Sequence, residues 1–411
     1  MSDQEVQPAQ QMTGVNPGPD LQSQQWRRLQ FHGRGGEYFR IWIVNLLLTI
    51  LTLGIFSAWA TVRSRRYFYG NTEVDGSRFD FHGTGMQILV GRVIAVVLLL
   101  LLSQGVLLHS AIPLVVQALV LIALPWLIVK SLSFRLGNTS LRNLRFGFKA
   151  RVGDAYARFA PYQLIALIIM MVVYWSIINA FGSLDLTTPE IPEDMSAIAI
   201  MGGVYALALL IAGILYPVFI CDVYRFNANF AQFGRQTFSV NLSRWYFIQN
   251  FIISVVIIFV PIFVFMIFMM MFGDIESLFA IENFADNPSS IYLPILLGVY
   301  YIVFGLGWMF AYAYWQVKVF NCVLASLKIE EVVFQADMKV FKLAFILMTN
   351  FFMVMLSLGL AYPWTAVRIM RYRLQCVEYK GDADQFEGRA EPSENAIGDE
   401  ISSALDFEVG F

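Results

Sequence analysis

The placement of lysine and arginine constrains this chain more than any other feature. Three long stretches, 93–129, 159–224 and 245–317, contain neither residue. Each is long enough for two apolar helices and a turn. The turns are either short, as at His109–Pro113, or acidic. One acidic turn holds Asp185, Glu190, Glu193 and Asp194, and the other holds Asp274, Glu276, Glu282 and Asp286. All 28 Lys and Arg residues can then lie on one side of a membrane. Basic loops stay cytoplasmic, so the pattern predicts a multi-pass protein with both termini in the cytoplasm.

Composition agrees. The chain has 411 residues, of which 58% are hydrophobic and only 14% charged, against about 25% charged in soluble domains. A bilayer can surround that much apolar surface where water cannot. The basic residues are spread among juxtamembrane loops, so no nucleic-acid partner is expected. Cys221, Cys322 and Cys376 fit no metal spacing, and His32, His82 and His109 are too scattered for a cluster. No metal or cofactor is expected. Residues 1–27 read as a disordered polar tail, 28–388 as the membrane domain, and 389–411 as a disordered acidic tail.

Six spans of about 20 apolar residues each, the length needed to cross, fall at 88–109, 113–132, 160–181, 197–221, 246–272 and 291–317. Two further apolar segments, 41–62 and 343–367, have basic residues at both ends. A simple span would put one basic cluster on the wrong side. These two segments also match each other at a constant offset of 305 residues. Asn45 pairs with Asn350, Leu53-Gly54 with Leu358-Gly359, and Trp59 with Trp364. Val62-Arg63 pairs with Val367-Arg368, and Arg66-Tyr67 with Arg371-Tyr372. Each segment is too short to cross twice, so we expect re-entrant dips that break near Gly54 and Gly359, with additional full spans as the alternative. Irregular backbone at that depth needs covering, so the dips are expected to be buried in the bundle.

Weaker echoes of the same pattern follow the other apolar pairs, giving five repeated units. Between them lie short alternating runs: Ser77–Phe81, Leu144–Phe148 and Val332–Gln335. Asp75-Gly76 is a tight-turn signal between two such runs. The expected fold is an all-α polytopic membrane protein, with short cytoplasmic β-hairpins that one sheet could collect.

The stretch Phe31-His-Gly-x-Gly-Gly-Glu-Tyr-Phe39 leads into Leu53-Gly-Ile-x-x-x-Trp59, then Val62-Arg63-x-x-Arg66-Tyr67 and Phe79-x-Phe81-x-Gly83. Over residues 28–388 this resembles the YjgN-like family of bacterial inner-membrane proteins, a family of unknown function. The resemblance implies a multi-pass inner-membrane location and no particular chemistry.

Candidate site residues come from the paired segments. Asn45, Thr49, Gly54, Thr349, Asn350 and Gly359 either line a shared path or satisfy backbone at their own breaks. Arg63, Arg66, Arg368 and Arg371 either contact lipid phosphate or another anion, or anchor topology and helix ends. No carboxylate pair, nucleophile with a base, or metal set points to an enzyme. Two functions remain open. One is transport or permeation of a small solute. The other is a structural or adaptor protein whose cytoplasmic hairpins bind a partner or lipid headgroups.

Overall fold

In a computed structural model the described residues are 25–108, 112–181, 196–272 and 292–381. Most of both expected tails, both acidic turns and the turn at 109–111 lie outside them. Arg27, assigned above to the first tail, begins a strand.

Helices and short strands alternate along the chain. Strands β1 (Arg27–Arg28) and β2 (Gln30–Phe31) lead into helices α1 (Gly35–Leu51) and α2 (Ser57–Gly70). Strands β3 (Thr72–Val74) and β4 (Ser77–Phe81) precede α3 (Gly85–Leu108) and α4 (Ile112–Gly137). Strands β5 (Thr139–Leu141) and β6 (Leu144–Phe148) precede α5 (Val152–Phe181) and α6 (Ser196–Phe230). Next come β7 (Ala231–Phe233), β8 (Gln236–Val240), α7 (Arg244–Phe272) and α8 (Tyr292–Ser326). The chain continues through β9 (Leu327–Ile329), β10 (Val332–Ala336), α9 (Val340–Leu356), α10 (Tyr362–Gln375) and β11 (Val377–Lys380).

The strands form one sheet in the order β1-β11-β10-β9-β8-β7-β6-β5-β4-β3-β2. β1 and β2 are separated only by Leu29, so the two ends of the sheet meet and it closes on itself. The expected all-α class gives way to helices around one closed sheet, which collects the short hairpins. The physical reason is strand length. Strands of three to five residues are marginal as isolated hairpins, and closure pairs every edge. The tight turns carry the conformations such turns demand: Asp75 and Gly76 have φ of 46° and 74°, and Arg142 and Asn143 have 53° and 63°.

Apolar side chains fill the closed sheet. Val74, Leu141, Phe233, Ile329 and Tyr379 are buried there, with Phe79, Phe146, Phe238 and Phe334 packed against them. Phe146 meets Phe233 with ring centroids 4.7 Å apart and stacks on Phe79 at 6.2 Å. A ring of large side chains thus plugs the axis of the sheet.

The helices form a second ring. Each contacts the next, α1 to α2 through α9 to α10, and α10 returns to α1. Five of the described helices contain stretches long and apolar enough to cross a membrane: α3, α4, α5, α6 and α7. The expected span 291–317 lies in α8, which is 35 residues long and rich in aromatic residues. Packing is dense near the sheet and sparse away from it. No residue in the most apolar stretch of α6 is buried, and only 6% are in that of α5.

The terminal segments are helical hairpins that leave the sheet and return to it. α1 follows β2, α2 precedes β3, and β2 pairs with β3. Each α1–α2 and α9–α10 turn closes its own hydrogen bonds. The Gly54 amide donates to Thr49 O at 2.7 Å and the Leu53 amide to Ile50 O at 3.1 Å. The Gly359 amide donates to Val354 O at 2.8 Å and the Leu358 amide to Met355 O at 3.2 Å. This 6→1 with 5→2 pairing is a Schellman termination. The left-handed position, however, belongs to leucine: φ is 49° at Leu53 and 50° at Leu358. These tips are not buried in the bundle, contrary to expectation. Leu53 is 95% exposed and Leu358 94%. A turn that satisfies its own backbone needs no protein cover, so the reason for burying it disappears.

Candidate functional site

The paired asparagines each meet an arginine of the same hairpin. Asn45 is buried, and its Oδ1 accepts from Arg63 Nη1 at 3.3 Å. Asn350 is buried, and its Oδ1 accepts from Arg368 Nη1 at 3.2 Å. The same Arg368 nitrogen donates to Thr349 Oγ1 at 2.8 Å. Thr49 Oγ1 donates to the Asn45 carbonyl one turn earlier at 2.7 Å. Asn350 Nδ2 reaches Thr365 O at 3.5 Å, whereas Asn45 Nδ2 is buried with no protein partner. Among the described residues no hydrogen bond joins one pair to the other. Gly54 and Gly359 sit at the exposed tips, where an added Cβ would meet nothing within 4 Å.

The second arginine of each motif clasps backbone at a strand-to-helix junction. Arg66 donates to Phe81 O at 3.2 Å and to Gly83 O at 3.3 Å. Arg371 donates to Gly33 O at 2.8 Å. Arg225 makes the same reach to Leu242 O, and Asn321 Nδ2 reaches Met338 O at 3.0 Å. Tryptophans lock the same junctions. A Cβ on Gly85 would lie 2.6 Å from the Trp59 ring, and Trp364 covers Gly35 in the same way. The glycines at 33, 35, 83 and 85 are therefore places where an aromatic ring lies directly on the backbone.

The densest polar cluster was not visible in the sequence. Asp222, on α6, is buried, and three segments supply its partners. Its Oδ1 accepts from Arg158 Nη2 at 2.8 Å and from Arg244 Nε at 3.1 Å. Its Oδ2 accepts from Arg244 Nη2 at 2.8 Å and from the Tyr162 hydroxyl at 2.7 Å. Arg225 Nη1 stands 3.8 Å from Oδ1. One carboxylate thus orders three guanidinium groups, and Arg244 grips it with the bidentate geometry that only arginine provides. An open cleft of about 680 Å³ adjoins the cluster. Arg158 and Arg225 line it together with Asp154, Asn229 and Asn241. The cleft lies where the apolar parts of α5 and α6 give way to the sheet. The three arginine partners of Asp222 come from separate positions along the chain. The only available signal was its register. Asp222 stands nine residues before β7, the place that Arg63 occupies before β3 and Arg368 before β11.

Among the described residues no group of three or more His, Cys, Asp or Glu could hold a metal. The family model for a bacterial protein of unknown function, DUF898, matches residues 27–404. The chain belongs to this family. An inner membrane protein YjgN of Salmonella typhimurium is 25% identical over 375 residues, covering 87% of this chain and 90% of the relative. An inner membrane protein YjgN of Escherichia coli K12 is 29% identical over 229 residues, 54% of each chain. The protein of that name from Escherichia coli O157:H7 is 37% identical over 121 residues, 29% of this chain and 30% of the relative. No solved structure matches the chain. The relatives' inner-membrane names and the five apolar helices together support a membrane protein.

Proposed function

We propose that this DUF898 protein is a structural lipid-binding protein of the bacterial inner membrane, holding phospholipid between splayed helical hairpins under a sealed cytoplasmic cap. One observation carries the reading. α6 sits in a closed ring of helices, yet none of its most apolar stretch is buried by protein. Apolar surface of that extent is covered by acyl chains in a bilayer. The proposal includes α8 as a sixth span, both termini in the cytoplasm by the placement of Lys and Arg, and five equivalent units. In the fifth unit the last helices and β11 join the strand at 27–31. It assigns the chain no reaction.

Permeation of a small solute has the buried Asn45–Arg63 and Asn350–Arg368 pairs in its favour. Against it stand the aromatic plug of the sheet and the bonding of each pair within its own hairpin. The experiment is native mass spectrometry of protein released from nanodiscs, run beside solute-release assays on reconstituted vesicles. Several phospholipids per chain should survive stripping, and the vesicles should stay sealed. Bare protein, or solute release that Asn45→Leu with Asn350→Leu abolishes, would replace this reading with a conduit.

A further inference from the structure

The geometry points to a phosphodiester-binding site in the cleft beside Asp222, and we propose that its occupant is the headgroup phosphate of a phospholipid. The inference rests on the lipid-binding reading above and gives it an address.

The charge balance selects the ligand class. Arg158, Arg225 and Arg244 surround one buried carboxylate, Asp222. Asp154 adds a second carboxylate at the rim of the cleft. Three cations against two anions leave one net positive charge. A phosphodiester carries one negative charge, whereas free phosphate near neutral pH is a mixture of singly and doubly charged ions. Asp154 therefore disfavours the doubly charged ion and tolerates the diester.

The donors are held in place before any ligand arrives. Asp222 and the Leu242 carbonyl fix Arg158 and Arg225 from behind. Arg158 spends one terminal nitrogen on Asp222 and lines the cleft together with Arg225. Asn241 adds an exposed amide to the same wall. Preorganised guanidinium groups suit phosphate oxygens. The depth is also right. The cleft lies at the boundary between apolar helix and sheet, the level of lipid headgroups, and basic pockets between spans on that side take such groups.

The test titrates detergent-solubilised full-length protein with short-chain phosphatidylglycerol, with inorganic phosphate, and with diacylglycerol, which has the acyl chains but no phosphate. Arg158→Gln and Asp154→Asn are compared with wild type. Asparagine keeps the capping acceptor that Asp154 offers to the Arg151 amide. Wild type should bind phosphatidylglycerol and neither control. Arg158→Gln should weaken that binding about tenfold, the worth of one charge-assisted hydrogen bond. Asp154→Asn should retain the lipid and begin to bind inorganic phosphate. Phosphatidylglycerol affinity unchanged in a folded Arg158→Gln protein overturns the site. So does phosphate binding by wild type, which would mark a soluble anion as the ligand. If Arg158→Gln does not fold, an Asp154→Asn protein still blind to phosphate overturns it as well. Wild type that carries lipid from nanodiscs but shows any of these results loses the site and keeps the general reading. Wild type that carries none loses the general reading.

Discussion

Arg371, near the end of the last helix, donates a 2.8 Å hydrogen bond to the carbonyl of Gly33, 338 residues earlier in the chain. It is the counterpart of the bond from Arg66 to Gly83, so α10 holds the junction before α1 as α2 holds the junction before α3. We expect Arg371→Ala to lower stability by about 1–2 kcal/mol, the range for a charge-assisted bond that is partly solvated. Thermal unfolding in detergent measures it. The loosened seam should also speed proteolysis near residue 32.

Gly85 should tolerate no side chain while Trp59 lies on it. A Cβ there would sit 2.6 Å from the indole. Gly85→Ala should cost about 1–3 kcal/mol, as overpacking does. Adding Trp59→Leu should recover part of the loss. A double mutant no more stable than Gly85→Ala would show that the strain lies elsewhere.

Leu53 and Leu358 hold a backbone conformation that costs an L-residue about 1–2 kcal/mol. Leu53→Gly should therefore raise the unfolding temperature in detergent. Gly54→Ala should lower it, because φ there is 92°. The same opposite signs are expected at Leu358 and Gly359.

Asp222 faces three arginines with a single carboxylate. Asp222→Asn should cost about 1–3 kcal/mol, the range for losing charged hydrogen bonds, because Asp222 is buried while its three arginines stay partly in water. Expression level and melting temperature report it. Loss of stability near zero would mean that the arginines are already solvated.

Glu378 on β11 is held below the ordinary carboxylate range, first by its hydrogen bond from Arg28 and then by that from Gln335. A depressed carboxyl group stabilises the fold above the unfolded value of about 4.3 and ceases to do so as pH falls through the folded value. Stability of the wild type should drop in that acidic window. Glu378→Gln should flatten the drop without changing the slope at pH 7–8. Melting curves from pH 3 to 8 would decide it.

Five apolar helices were legible because twenty apolar residues without charge have one common explanation. The terminal hairpins were legible in outline, since basic residues at both ends of 41–62 and 343–367 forbid a simple crossing. The chain turns near Gly54 and Gly359, both at φ of 92°, but Leu53 and Leu358 beside them also take positive φ, which no sequence signal announced. Closure of the sheet was hidden because β1 and β2 have only two residues each, too few for any alternating pattern. The surroundings of Asp222 were hidden for another reason. Arg158 and Arg244 lie 64 and 22 residues away, on other helices, and only packing brings them together.

Residues 27–31 are made long before their partner β11. Until β11 is made, one flank of the strand at 27–31 and one flank of β10 stay unpaired. A product truncated before residue 377 would keep both flanks bare, the kind of exposed edge that invites aggregation. Completion of the cap thus reports that synthesis has passed residue 380.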